Sequence, residues 1–153
     1  MKRLIKLSVI LLIITSFGCT SDPYNCTTSP PSVTFEFVDK TSGENLFKNG
    51  TFDAKKAVTI TDLNENKIIQ YAYLKEDNLY RLGFNAMGWD AGTFKYAVKI
   101  EDKSIFEFHV STEKRKSEHC SSTVITSLQI KNVEFQEDKT TGVYKILIDT
   151  QNQ

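Results

Sequence analysis

The sequence is poor in the residues that usually carry chemistry. Its 153 residues include 2 histidines, 3 cysteines and 1 tryptophan. A zinc site needs three or four converging ligands. His109 and His119 are too few, and a strand through His119-Cys120 would send the two side chains to opposite faces, so no metal site is expected. No Cys-x-x-Cys pair is present, which argues against dithiol redox work, and no Gly-x-Ser-x-Gly elbow presents a nucleophilic serine. Gly83, Gly88 and Gly92 are not followed by the Gly-Lys-Ser/Thr of a phosphate loop. Asp62-Leu63-Asn64-Glu65-Asn66 opens like a calcium loop, but Lys67 stands where glycine is needed and Tyr73 where the bidentate glutamate belongs, so a turn is expected. Glu36, Asp102 and Glu107 give no sign of the opposed environments that paired catalytic carboxylates require. No catalytic residue and no cofactor is assigned. A strongly basic balance is also missing: Lys2, Arg3 and Lys6 are the only charges in residues 1–18, so 19 basic and 19 acidic residues become 16 and 19 beyond them. A net charge near −3 with no basic stripe excludes nucleic acid as a partner.

The front of the chain is apolar, yet too short to cross a bilayer. Leu7–Ile14 is interrupted only by Ser8, whereas a spanning helix needs about 20 apolar residues. Lys2, Arg3 and Lys6, the apolar core, and then Thr15-Ser16-Phe17-Gly18-Cys19 have the three-part layout of an export signal. This layout resembles the signal peptide of bacterial lipoproteins, in which small residues precede a cysteine whose thiol takes the lipid. The resemblance implies cleavage after Gly18, lipid (palmitate included) on Cys19, and an extracytoplasmic protein held to a membrane. Ser16 and Gly18 also satisfy the small-x-small rule of ordinary secretion. Cysteine arithmetic favours the lipoprotein: an odd thiol in an exported protein needs an explanation, and lipidating Cys19 leaves Cys26 and Cys120 as an even pair. Thr20, where inner-membrane retention would place aspartate, favours the outer membrane by the same resemblance.

Residues 19–32 read as a linker, rich in proline and small polar residues. Cys26 lies within it, and an exported protein permits a Cys26–Cys120 disulfide that would clip linker to domain. Residues 33–150 form one expected domain. Period-two alternation marks strands at Val33–Val38, Ala57–Thr61, Ile68–Leu74, Leu79–Phe84, Phe94–Ile100, Ile105–Ser111, Thr123–Ile130 and Gly142–Asp149. Thr112–Cys120 is charged and reads as a loop, and the strand after it is expected to run on toward Phe135 through an irregularity near Asn132. Eight short strands without a helix predict an all-β domain. An immunoglobulin-like or transthyretin-like Greek-key sandwich is expected, and an eight-stranded up-and-down barrel gives the same pattern.

The run Phe35-Glu36-Phe37-Val38-Asp39-Lys40-Thr41-Ser42-Gly43-Glu44-Asn45-Leu46-Phe47 is similar to the opening of small bacterial β-sandwich lipoproteins of uncharacterised activity, as is Cys120 near the penultimate hairpin. The shared motif is a structural turn and implies no catalytic residue. The stretch that invites a contact is Asn85-Ala86-Met87-Gly88-Trp89-Asp90. There Trp89, with Asn85 and Asp90 beside it, could stack on a sugar or press on a partner; the plainer expectation is that Trp89 caps the end of the core. The chain is therefore expected to be a non-enzymatic structural or interaction module of the cell envelope. Its expected partners are the membrane, through the lipid, and an envelope protein or glycan. The alternative is a ligand-binding module, carbohydrate-binding for example.

Overall fold

The computed structural model describes residue 26 and residues 28–53, 58–101 and 103–151; Met1–Asn25, with the export segment and Cys19, lie outside the described residues. Ten strands follow in order among the described residues: β1 (Val33–Asp39), β2 (Val58–Asp62), β3 (Lys67–Ile69), β4 (Ala72–Leu74), β5 (Arg81–Phe84), β6 (Gly92–Ile100), β7 (Lys103–Lys116), β8 (Ser121–Lys131), β9 (Glu134–Asp138) and β10 (Val143–Ile148). They form two five-stranded sheets, β4-β5-β1-β10-β9 and β3-β2-β6-β7-β8. The domain is thus an all-β sandwich. The sheets stay separate, so the up-and-down barrel is not realised. Non-sequential neighbours (β1 beside β5 and β10, β2 beside β6) replace the hairpin-to-hairpin order that a barrel would need. β1 lies parallel to β10 and antiparallel to β5.

Aromatic rings join the sheets. Phe35 of β1 meets Phe106 and Phe108 of β7 edge-on, with centroids 5.2 and 5.0 Å away. Phe84 of β5 does the same with Tyr96 of β6 and Phe108 at 4.6 and 5.1 Å. All five rings are fully buried. Edge-to-face pairs set the ring's positive rim against a negative face and add about 0.5–1.5 kcal/mol each beyond area burial.

Three expectations need correction. Ile68–Leu74 is not one strand: β3 pairs with β2 in one sheet and β4 with β5 in the other, and the chain changes sheets at Gln70-Tyr71. Thr112–Cys120 is a loop only over its last four residues: β7 continues to Lys116 against β8, with Thr112 opposite Ile125 and Lys116 opposite Ser121. β6 begins at Gly92, opposite Thr112, so beyond that point the β7–β8 hairpin outruns its sheet. No apolar face is required there, and its charges hide the strand. Nor does β8 run on to Phe135. Asn132, at φ 67°, turns the chain into β9 of the other sheet.

One turn is built twice. Asp39-Lys40-Thr41-Ser42-Gly43 and Asp138-Lys139-Thr140-Thr141-Gly142 share a sequence pattern and a geometry. In the first, the Asp39 carboxylate accepts the N–H groups of Thr41 and Ser42 (3.0 and 2.7 Å), and the Gly43 N–H donates to the Asp39 carbonyl (2.8 Å). In the second, the Asp138 carboxylate accepts from Thr140 and Thr141, and Gly142 donates to the Asp138 carbonyl (2.7 Å). Gly43 and Gly142 take φ of 73° and 69°, which side chains with a Cβ rarely adopt. The turn motif of the β1 end is therefore a backbone device. Asp39 also accepts the hydroxyl of Thr150, and that bond, then the Ser42 N–H, holds its carboxyl down at about 2 against burial, which pushes the other way.

Phe108→Ala removes a ring shared by both sheets and is expected to destabilise the domain by about 3–5 kcal/mol, measured by urea unfolding; a loss under about 1 kcal/mol would contradict the interlock. Asp39→Asn is expected to lower the urea midpoint at neutral pH. Because the folded carboxyl ionises at about 2 rather than 3.8, its contribution is present above 3.8 and lost as pH falls through about 2. The gap between wild type and variant should close over that window; a gap independent of pH would show that the carboxylate charge is immaterial.

Candidate functional site

The loop between β5 and β6, Asn85–Ala91, crosses from one sheet to the other and is held from both sides. Met87 enters the core with 1% of its surface exposed. The Gly88 N–H donates to the Asn85 carbonyl (3.0 Å), with Gly88 at φ 58°. Two buried hydroxyls then clamp consecutive carbonyls: Thr123 donates to Trp89 (2.8 Å) and Thr112 to Asp90 (2.7 Å). The backbone of Trp89 is fixed while 47% of the residue stays open. Met87, whose unbranched thioether fits an irregular gap, is the loop's side chain buried in the core cluster, and Trp89 stands about half exposed two residues later. Asn85 and Asp90 are exposed in the same loop.

The second part of this end is the clip. Cys26 and Cys120 are joined by a disulfide across 94 positions. Cys120 sits in the β7–β8 connection, where the Ser117 N–H and hydroxyl donate to the Cys120 carbonyl (2.8 and 3.2 Å). The Cys26 sulfur, with no proton left to donate, packs 3.2 Å from the His119 carbonyl oxygen. In a chain-entropy view, closing so long a loop stabilises the fold by up to about 4–5 kcal/mol. Thr123, which clamps Trp89, lies opposite Lys114 in the same hairpin. Val33, where the chain enters β1, lies opposite Phe84, where the Trp89 loop leaves β5. Clip, chain entry and Trp89 loop therefore share one end of the sandwich.

Elsewhere the sequence candidates stay apart. No group of three or more His, Cys, Asp or Glu side chains converges among the described residues. His109 lies opposite Lys95 and Gln129, and burial, then Lys131 and Lys95, depress its pKa. The Asp62 carboxylate accepts the N–H groups of Asn64 and Glu65 (2.7 and 3.2 Å), a turn of the kind expected there.

A cleft missed in the sequence opens near the other end. Phe47, Phe52, Tyr73 and Tyr80, with Asp53 and Lys75, line about 610 Å³. Tyr80 holds φ at 48°, unusual for a bulky side chain. Its carbonyl accepts from Asn45 Nδ2 (3.1 Å), which also donates to Glu36 (3.2 Å), itself paired with Arg81 (3.2 Å). Burial, then Tyr80, Asp53 and Tyr71, raise the Tyr73 pKa, so its phenol stays protonated at neutral pH and can donate a hydrogen bond. These residues are scattered through the chain, and no local pattern announces them.

Comparison of the chain with protein-family models, curated proteins and solved structures found no match.

Proposed function

We propose that the protein is a bacterial lipoprotein: a non-enzymatic structural or interaction module held outside the cytoplasm by lipid on Cys19, with the outer membrane favoured. The observation that carries this reading is the Cys26–Cys120 disulfide. Stable disulfides belong to oxidising compartments, and pairing these two cysteines leaves Cys19 as the odd thiol, directly after an export-type segment. Two or three acyl chains, at about 0.8 kcal/mol per buried methylene, would make such an anchor effectively permanent. Its expected partners are the membrane and an envelope protein or glycan.

A second reading, a ligand-binding module, is favoured by the aromatic cleft. Its volume falls in the usual range for small-molecule sites, and aromatic walls with a few polar groups suit a sugar's apolar faces and hydroxyl rim.

The anchor is tested by growing cells on radiolabelled palmitate. Wild type should take up label and enter the detergent phase; Cys19→Ala should take up none and either leave the membrane or stay unprocessed. Label in the variant, or none in wild type, refutes the anchor. The cleft is tested on a glycan array: Tyr73→Ala should abolish retention of whichever saccharide the wild type holds. A wild type that retains none, or a variant that binds equally, removes the second reading.

A further inference from the structure

We propose that the end of the sandwich bearing Trp89 and Leu63 rests on the lipid surface, so that the domain is docked as well as tethered; this rests on the lipidation of Cys19. The position of the clip is the first reason. Cys19 precedes Cys26 by seven residues, and an extended chain covers at most about 3.6 Å per residue, so the β7–β8 connection stays within about 25 Å of the anchor. Without the bridge the leash would run to Val33, twice as far along the chain. The chain enters β1 at this same end, with Val33 opposite Phe84, so the disulfide halves the slack at an end that already lies nearest the anchor.

That end carries two exposed apolar side chains in turns held by hydrogen bonds; Ile68, Leu74, Leu79 and Phe135 are exposed elsewhere among the described residues. Trp89 is 47% exposed and Leu63 44%. Trp89 is locked by Thr123 and Thr112 as described. Leu63 lies in the β2–β3 turn, its N–H donating to the Lys95 carbonyl (2.8 Å), while Asn64 Nδ2 reaches the Thr93 carbonyl (3.4 Å). Both contacts place the turn beside the start of β6, into which the Trp89 loop leads. An indole, apolar with one N–H donor, favours the boundary between headgroups and acyl chains. Its backbone is already held by Thr123 and Thr112, so docking has only the side chain to order.

Charge decides the kind of surface contact. In the hairpin extension and the Trp89 loop, Lys114, Arg115 and Lys116 are matched by Glu113, Glu118 and Asp90, with Arg115 paired to Glu113 at 3.0 Å. This balance gives no polybasic attraction to anionic lipid. The contact is interfacial and apolar, and it should be insensitive to salt.

The sequence's single tryptophan makes the test direct. The lipidated full-length protein, purified from membranes, is reconstituted into phosphatidylcholine vesicles whose acyl chains carry bromine near the headgroup. Indole emission is expected to shift to the blue and to fall by about half or more, as for a side chain held at the interface, and to do so equally in low and high salt. A Cys26→Ser/Cys120→Ser variant should keep its palmitate and lose most of the quenching. Should that variant fail to fold, Leu63→Asn, an exposed position, should weaken the quenching in its place. Emission untouched by the bromolipid yet open to acrylamide in a palmitate-labelled sample overturns docking and leaves the anchor standing. Emission shielded from acrylamide in native envelopes yet untouched by the bromolipid in vesicles indicates a protein on Trp89, and overturns docking too. Absence of palmitate overturns the anchor and the docking together.

Discussion

The ring of Phe108 holds the two sheets in register. It receives Phe35 from β1 and Phe84 from β5, while Tyr96 and Phe106 close the same layer from its own sheet. Sheets that pack face to face interdigitate their inner side chains, and here rings supply much of that contact. Edge-to-face rings interlock, because each edge must find a face. The position of Phe84 then fixes where the next loop leaves the sheet, and Met87, three residues on, follows it into the core. The carbonyls of Trp89 and Asp90, two and three residues after the buried Met87, are then clamped by Thr123 and Thr112.

The second constraint is covalent. The β7–β8 hairpin runs past its partner strand β6 and has no second sheet to lie on. A bare two-stranded extension is marginal in water. The Cys26 bridge at its far end ties it to the start of the chain, and the Trp89 loop lies against its inner residues. One bridge therefore braces an extension that packing alone would leave weak, and it ties the chain down at the end of the domain where β1 begins and the indole is displayed. In the proposed lipoprotein the same brace would shorten the leash between that end and the lipid.

Much of the fold was legible because burial on one face enforces period two. Phe94–Ile100 keeps the rhythm since Tyr96, Val98 and Ile100 enter the core while Lys95 and Lys99 do not, although the small Ala97 between them is buried as well. Alternation says nothing about which sheet a strand joins, however. Ile69 and Tyr73 both turn partly inward across Gln70-Tyr71, so the rhythm continues through a change of sheet and one strand was expected where two exist. The β7 extension was hidden for the opposite reason, having no buried face to impress a pattern. Met87 could not be assigned as a plug from a polar, glycine-bearing loop, and the cleft of Phe47, Phe52, Tyr73 and Tyr80 is assembled from separate segments. The repeated Asp-Lys-Thr-Ser/Thr-Gly turn was open to view in the sequence and was missed, because it recurs once and has no period. The cysteine count pointed to the observed pairing of Cys26 with Cys120.

The most direct measurement of the central claim, a sandwich hung from lipid at Cys19 and clipped by Cys26–Cys120, is the intact mass of the protein extracted from membranes without reductant. The account predicts a chain beginning at Cys19, heavier than its residues by a diacylglyceryl group and any further acyl chain, and lighter by the two hydrogens of one disulfide. A chain beginning elsewhere, an unmodified Cys19, or a mass with both Cys26 and Cys120 as free thiols would contradict it.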